Sequence, residues 1–217
     1  MPRDEWSSHR FHDRGLHICL GRVLDVSDPG DPERESEVSR DLNPVGKHVY
    51  LTGFMGAGKS TVGRALAELL DRPFVDLDDS IEAQQGMAIA EIFASRGEAW
   101  FRRLESAALR SVDDSNAAVV ATGGGVLSVP ENREWMRSHG LAVWLDVSFE
   151  LVMARLGATD QGMRPLFESE SQARELFAKR QSQYDDSDLR IEVLSSHSAA
   201  EVAAMIQNIL TEEECVT

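Results

Sequence analysis

Gly53-Phe54-Met55-Gly56-Ala57-Gly58-Lys59-Ser60-Thr61 follows the apolar run His48-Val49-Tyr50-Leu51-Thr52 and precedes residues 62–70, whose apolar positions recur at helical spacing. Strand, glycine-rich loop, helix: that order decides the fold. Gly53, Gly56 and Gly58 permit backbone angles closed to other residues, so consecutive amide N–H groups can turn inward onto phosphate oxygens. The positive end of the following helix adds its own attraction for the anion. Lys59 is then placed to reach the β- and γ-phosphates, and the Ser60 hydroxyl to ligate a magnesium ion bridging them, because Mg²⁺ takes hard oxygen ligands. The competing reading is a turn that contains Lys-Ser by chance. The strand before it and the helix after it favour the nucleotide.

Downstream, Val62, Leu66, Leu69 and Leu70 keep one apolar stripe until Asp71-Arg72-Pro73 ends the helix. Phe74-Val75-Asp76-Leu77-Asp78 reads as a short strand ending in two acids, followed by helical pieces at 81–85 and 89–94 that close at Gly86 and Gly97. Residues 100–112 form a helix with Phe101, Leu104, Ala108 and Val112 on its apolar face. The apolar run 117–121 is a strand covered on both sides, leading directly into Thr122-Gly123-Gly124-Gly125. Pro130 opens a helix over 131–139, and Gly140 ends it. A strand at 141–147, a helix at 149–156, a helix at 172–184 and a strand at 189–193 come next, before the capping box Ser198-Ala199-Ala200-Glu201 opens a last helix to about 210. Strands alternating with helices at this spacing predict an α/β fold of three layers, a parallel sheet with helices on both faces. Between two of these helices, residues 157–163 are glycine-containing and polar, a loop that leads to Arg164-Pro165-Leu166.

A chain of 217 residues with a net charge of −15 holds one α/β domain plus a tail. Its charge repels nucleic acid and anionic membranes, so neither is expected as a partner. An anionic substrate must be held by local arginines. Cys19 and Cys215, far apart, suggest no disulfide scaffold, and no apolar run reaches the roughly 18 residues of a membrane span. A cytoplasmic location is expected. Residues 1–46 carry one apolar run, Leu16-His17-Ile18-Cys19-Leu20, amid Asp, Glu, Ser, Pro and Arg, and are expected to be a disordered extension to a domain over 47–212. His9, His12 and His17 have no partner at metal-binding spacing.

In parallel sheets ligands bind beyond the carboxyl ends of the strands, which singles out the turns there. Alternation along a strand would send Asp76 and Asp78 to one side, one near magnesium and the other facing a substrate hydroxyl; alternatively Asp78 merely caps the next helix. Gly123-Gly124-Gly125 could let backbone N–H groups approach a small ligand, or be only a flexible turn. Arg102 and Glu105, three apart on one helix, could hold a guanidinium rigid as a carboxylate receptor, or be a surface ion pair. Arg164 in the polar loop and Arg180 on the next helix are placed to close over a reacting anion, or are simply solvated.

From about residue 47 to 210 these motifs resemble shikimate kinase. The run 53–63 matches that family's phosphate loop nearly letter for letter, and Phe74-Val75-Asp76-Leu77-Asp78 its DxD strand. Phe101-Arg102-Arg103-Leu104-Glu105 is similar to its FRxxE helix, Gly123-Gly124-Gly125 to its triple-glycine turn, and Arg164-Pro165-Leu166 to its lid motif. The resemblance implies a nucleoside-monophosphate-kinase-like P-loop NTPase fold with a five-stranded parallel sheet and a lid at about 157–170. It implies a transferase that moves the γ-phosphoryl group of ATP to the 3-hydroxyl of shikimate, a step of aromatic amino acid biosynthesis. Asp78 would hold and help deprotonate the hydroxyl; Arg102, Arg180, Gly124 and Gly125 would bind the substrate. Gly56, Ala57, Gly58, Lys59, Ser60, Thr61, Arg155 and Arg164 would hold ATP, with Lys59 and Arg164 neutralising the moving phosphoryl group. Ser60 and, through water, Asp76 would hold Mg²⁺, and Arg155 would lie against adenine. Shikimate and ATP are the partners implied, with the enzyme a monomer. Phe167, where the family usually has a second leucine, and the loosely matching Tyr184-Asp185-Asp186-Ser187-Asp188 depart from its pattern. A gluconate kinase would share the phosphate loop but not the Arg102, Arg180 and triple-glycine set. A silent ligand-sensing domain would be expected to lack some of Lys59, Ser60, Asp76, Asp78 and Arg164.

Overall fold

A computed structural model of the chain describes residues 6–10, 17–21, 46–158 and 169–212. Its elements, in order, are β1 (Trp6–Arg10), β2 (His17–Gly21), β3 (His48–Thr52), α1 (Lys59–Leu70), β4 (Phe74–Asp76), α2 (Leu77–Gln85), α3 (Ile89–Arg96) and α4 (Glu98–Arg110). Then follow β5 (Val119–Ala121), a 3₁₀ turn at Val126–Ser128, α5 (Pro130–His139), β6 (Gly140–Val147), α6 (Phe149–Ala158), α7 (Glu170–Tyr184), β7 (Leu189–Val193) and α8 (Ala199–Glu212). Residues 159–168, with Arg164 and most of the expected lid, lie outside the described residues.

Strand order across the sheet is β1-β2-β7-β6-β3-β5-β4. The strands from β3 to β7 are all parallel, as the alternation of elements predicts. Every residue of β3 is buried, which accounts for its unbroken apolar run: a central strand covered on both faces has no polar side to show. α1 and α8 pack on one another, and Val62, Leu66, Val202 and Ile206 join the core there.

The five parallel strands expected are present, and two further strands extend the sheet at its β7 edge. β1 and β2 form an antiparallel hairpin, and β2 pairs antiparallel with β7, Ile18 opposite Ile191 and Leu20 opposite Leu189. The hairpin falls within the segment expected to be without regular structure, and its inner strand is the apolar run noted there. A reason lies in β7, whose outer edge would otherwise present unpaired backbone groups. The rest of residues 1–45 lies outside the described residues.

A second difference concerns Asp76 and Asp78. The strand stops at Asp76 and Leu77 already begins α2, so the two carboxylates do not alternate along one strand. Asp76 is instead the N-cap: its Oδ1 accepts from the Asp78 N–H at 3.0 Å, and its carbonyl accepts from Ser80 Oγ at 2.7 Å. Capping satisfies amides that a continuing strand would have left to a neighbour. It also withdraws the cap role from Asp78, which sits in the first turn of α2.

Candidate active site

The phosphate loop joins β3 to α1. Gly53 has φ 133°, and a Cβ there would lie 2.7 Å from the Leu145 carbonyl, so both conformation and space require glycine. Gly58, the N-cap of α1, is left-handed at φ 96°, and from it the helix begins with Lys59, Ser60 and Thr61. Lys59 is nearly buried and donates from Nζ to the carbonyls of Gly53 at 2.8 Å and Phe54 at 3.0 Å. Arg155, from α6, donates to the carbonyls of Gly56 at 3.2 Å and Ala57 at 3.1 Å. It therefore lies across the loop backbone. Ser60 Oγ stands 2.6 Å from Asp76 Oδ2. This hydroxyl and carboxylate are hard oxygen groups of the kind that would hold Mg²⁺, Ser60 directly and Asp76 through water.

Beside the loop opens a cavity of about 530 Å³, mouth included, with Asp78, Arg102, Glu105, Gly123 to Gly125 and Arg180 among its walls. Four separate parts of the chain supply these groups. Glu105, on the buried face of α4, is wholly inaccessible, and its Oε2 accepts from Arg102 Nη1 at 2.7 Å. Burial pushes the Glu105 carboxyl up, Arg102 pulls against that, and the Asp78 charge adds to the rise. For Arg102 burial works against the charge, but Glu105 and Glu98 outweigh it and hold the guanidinium ionised. The expected Arg102–Glu105 pair is thus present and is a buried one, not a surface pair. Glu98, one turn before, accepts from Arg102 Nε at 3.3 Å and Nη2 at 3.0 Å, and its Oε1 is 3.9 Å from Arg180 Nη2. Burial, and then the like charge of Arg102, lowers the Arg180 pKa. Two arginines side by side, partly dehydrated, gain from any carboxylate placed between them.

The glycine turn is tight for reasons the sequence does not state. A Cβ on Gly123 would stand 2.1 Å from Glu105 Oε1, and one on Gly125 2.3 Å from Arg102 Nη1. The missing side chains make room for the buried ion pair as well as for a ligand. Gly124 meets the phosphate loop: a Cβ there would be 3.3 Å from Met55 N and 3.5 Å from the Gly53 carbonyl. Substrate turn and nucleotide loop thus share a wall.

Comparison with known proteins decides the family. The family model "SKI: Shikimate kinase" matches residues 55–211. The chain belongs to the shikimate kinase family. It is 42% identical to the shikimate kinase of Persephonella marina over 146 residues, covering 67% of this chain and 88% of that one. It is likewise 42% identical to the shikimate kinase of Geobacter sulfurreducens over 172 residues, 78% of this chain and 93% of the other. Among solved structures, the Acinetobacter baumannii shikimate kinase in complex with shikimate superposes with a TM-score of 0.72 at 36% identity, covering 78% and 95% of the two chains.

Of the residues singled out from the sequence, Asp78, Arg102, Gly124, Gly125 and Arg180 line one cavity. Lys59, Ser60, Asp76 and Arg155 gather at the loop next to it. Arg164 lies outside the described residues. Sequence reading missed two groups that this shikimate kinase family fold brings in: Glu98 between the arginines, and Tyr184, whose hydroxyl donates to the Gly124 carbonyl at 2.6 Å. Each stands four residues from an arginine already singled out, Glu98 before Arg102 and Tyr184 after Arg180. That helical spacing was the available signal.

Proposed function

We propose that the protein transfers the γ-phosphoryl group of ATP to the 3-hydroxyl of shikimate, giving ADP and shikimate 3-phosphate. The observation that carries this reading is the cavity itself: Asp78 and the converging pair Arg102 and Arg180 line it together with Phe54 and Met55 of the phosphate loop. Shikimate offers a carboxylate at one side of its ring and hydroxyls at the other. With the carboxylate between Arg102 and Arg180 and against the Gly124-Gly125 backbone, a hydroxyl falls to Asp78.

Asp78 accepts the hydrogen bond of that hydroxyl and draws off its proton as the oxygen bonds to the γ-phosphorus. The bond from that phosphorus to the β,γ-bridging oxygen breaks, and ADP carries away the electron pair. Lys59 leaves the carbonyls of Gly53 and Phe54 to meet the β- and γ-phosphates, and Arg164 adds a second positive charge. The amides of Gly56, Ala57, Gly58, Ser60 and Thr61 cradle the phosphates, and Arg155 contacts the nucleotide from α6. Ser60 and, through water, Asp76 are the residues that would hold Mg²⁺, which when bound supplies charge neutralisation on the phosphate oxygens.

The protein works as a cytoplasmic monomer on these small molecules, without nucleic acid or membrane, in keeping with its net charge of −15. Among the described residues no helix is long and apolar enough to cross a membrane. An assay coupled to ADP release, run with shikimate, gluconate and nucleoside monophosphates, tests the reading. Turnover with shikimate alone is expected; turnover with gluconate and none with shikimate would overturn it.

A further inference from the structure

Tyr184 is the last residue of α7, one turn beyond Arg180. Its ring is 2% exposed and lies 5.7 Å from that of Trp144 on β6. Its hydroxyl donates to the Gly124 carbonyl at 2.6 Å, while Arg180 Nη1 donates to the Gly125 carbonyl at 3.3 Å. One helix thereby grips two successive peptides of the glycine turn. Burial raises the phenol pKa, so Tyr184 remains a donor throughout the working range of pH.

The consequence follows from peptide planarity. The carbonyl of Gly124 and the N–H of Gly125 belong to one rigid plane and point in opposite directions, so holding the first aims the second. Three glycines in a row have no side chains of their own to fix that plane, and glycine backbone is the freest to rotate. The same helix reaches the nucleotide side, since Phe177 of α7 packs edge-on against Phe54 of the phosphate loop at 5.1 Å.

We infer that Tyr184 is a positioning residue for the substrate: by fixing the 124–125 peptide it aims the Gly125 N–H at the substrate carboxylate. It acts on the acid substrate and leaves the nucleotide untouched. The inference rests on the proposed reading that Gly124 and Gly125 receive shikimate, and the test separates the two.

Tyr184→Phe keeps the buried ring and removes only the hydroxyl. In steady-state kinetics with each substrate varied in turn, KM for shikimate is expected to rise about 3- to 10-fold, the size of one hydrogen bond, with KM for ATP changed less than about 2-fold. In the substrate-free variant the Gly125 amide resonance is expected to shift, while those of the phosphate loop at Gly58 and Lys59 stay in place. Arg102→Lys run alongside tests the reading itself. If Arg102→Lys raises KM for shikimate and Tyr184→Phe does not, or if Tyr184→Phe raises both KM values equally, the positioning role is overturned and the substrate reading stands. A Gly125 resonance that does not move also overturns it. If neither variant affects shikimate, the substrate reading falls and the inference with it.

Discussion

The phosphate loop and the pocket beside it are built in different ways. The loop is one contiguous run, residues 53–61, and its lysine donates to the carbonyls of Gly53 and Phe54, within six residues. The pocket draws on α2, α4, the turn after β5 and α7, from Asp78 to Arg180, and its order comes from ion pairs and hydrogen bonds among these parts. Glu105 holds Arg102, Glu98 spans Arg102 and Arg180, and Tyr184 holds Gly124. Phosphate can be met by main-chain amides that every sequence carries, so a short local motif suffices. A small carboxylic acid must be told from other anions by side chains of fixed direction, and fixing a guanidinium takes partners from several elements.

The largest expected effect lies on the loop side. Lys59→Ala should cut turnover by roughly 1000-fold or more, the upper range for one preorganised charge, while the thermal midpoint stays near that of the parent. Loss of folding, or a normal rate, would break the assignment of this lysine to the phosphates. Where the two regions meet, Asp78→Asn keeps the shape of the side chain and removes its charge. Since Asp76 caps α2, the substitution costs no cap, and kcat should fall about 10²- to 10⁴-fold with ATP affinity preserved. Near-normal kcat would remove Asp78 from the mechanism.

On the pocket side, Arg102→Lys should raise KM for shikimate about 10- to 100-fold, since a charged hydrogen bond is worth about 1.5–3 kcal/mol. KM for ATP should change little. Equal changes for both substrates would show that loop and pocket are not separable. The smallest effect belongs to the hairpin at the far edge of the sheet. Deleting residues 1–44 strips β1 and β2 from β7 and should leave kcat within about 2-fold, with a fall of about 2–4 °C in thermal midpoint for each 1 kcal/mol of lost pairing. An unchanged midpoint would show that the pairing adds nothing to stability.

What the amino-acid order determined by itself was whatever depends on near neighbours. The glycines and lysine of residues 53–61, the apolar run His48–Thr52 and the Pro130 start of α5 all declare themselves locally. So does the capping box, in which the Ser198 N–H donates to Glu201 Oε2 at 2.8 Å and the Glu201 N–H to Ser198 Oγ at 3.2 Å. Even the Arg102–Glu105 pair is local, being three residues along one helix. Tertiary structure alone decided that this pair is buried, because burial depends on α4 lying against the turn after β5. It decided that Gly123 and Gly125 are glycine partly to admit Glu105 and Arg102, and that Tyr184 reaches Gly124, sixty residues away. It also decided that an apolar run near the start of the chain closes the edge of β7. Hydrogen bonds within a turn of helix or loop are closed by chain connectivity, so residue types and spacing reveal them. Contacts between distant segments exist only where the packed sheet brings those segments together, and no spacing along the chain encodes that distance.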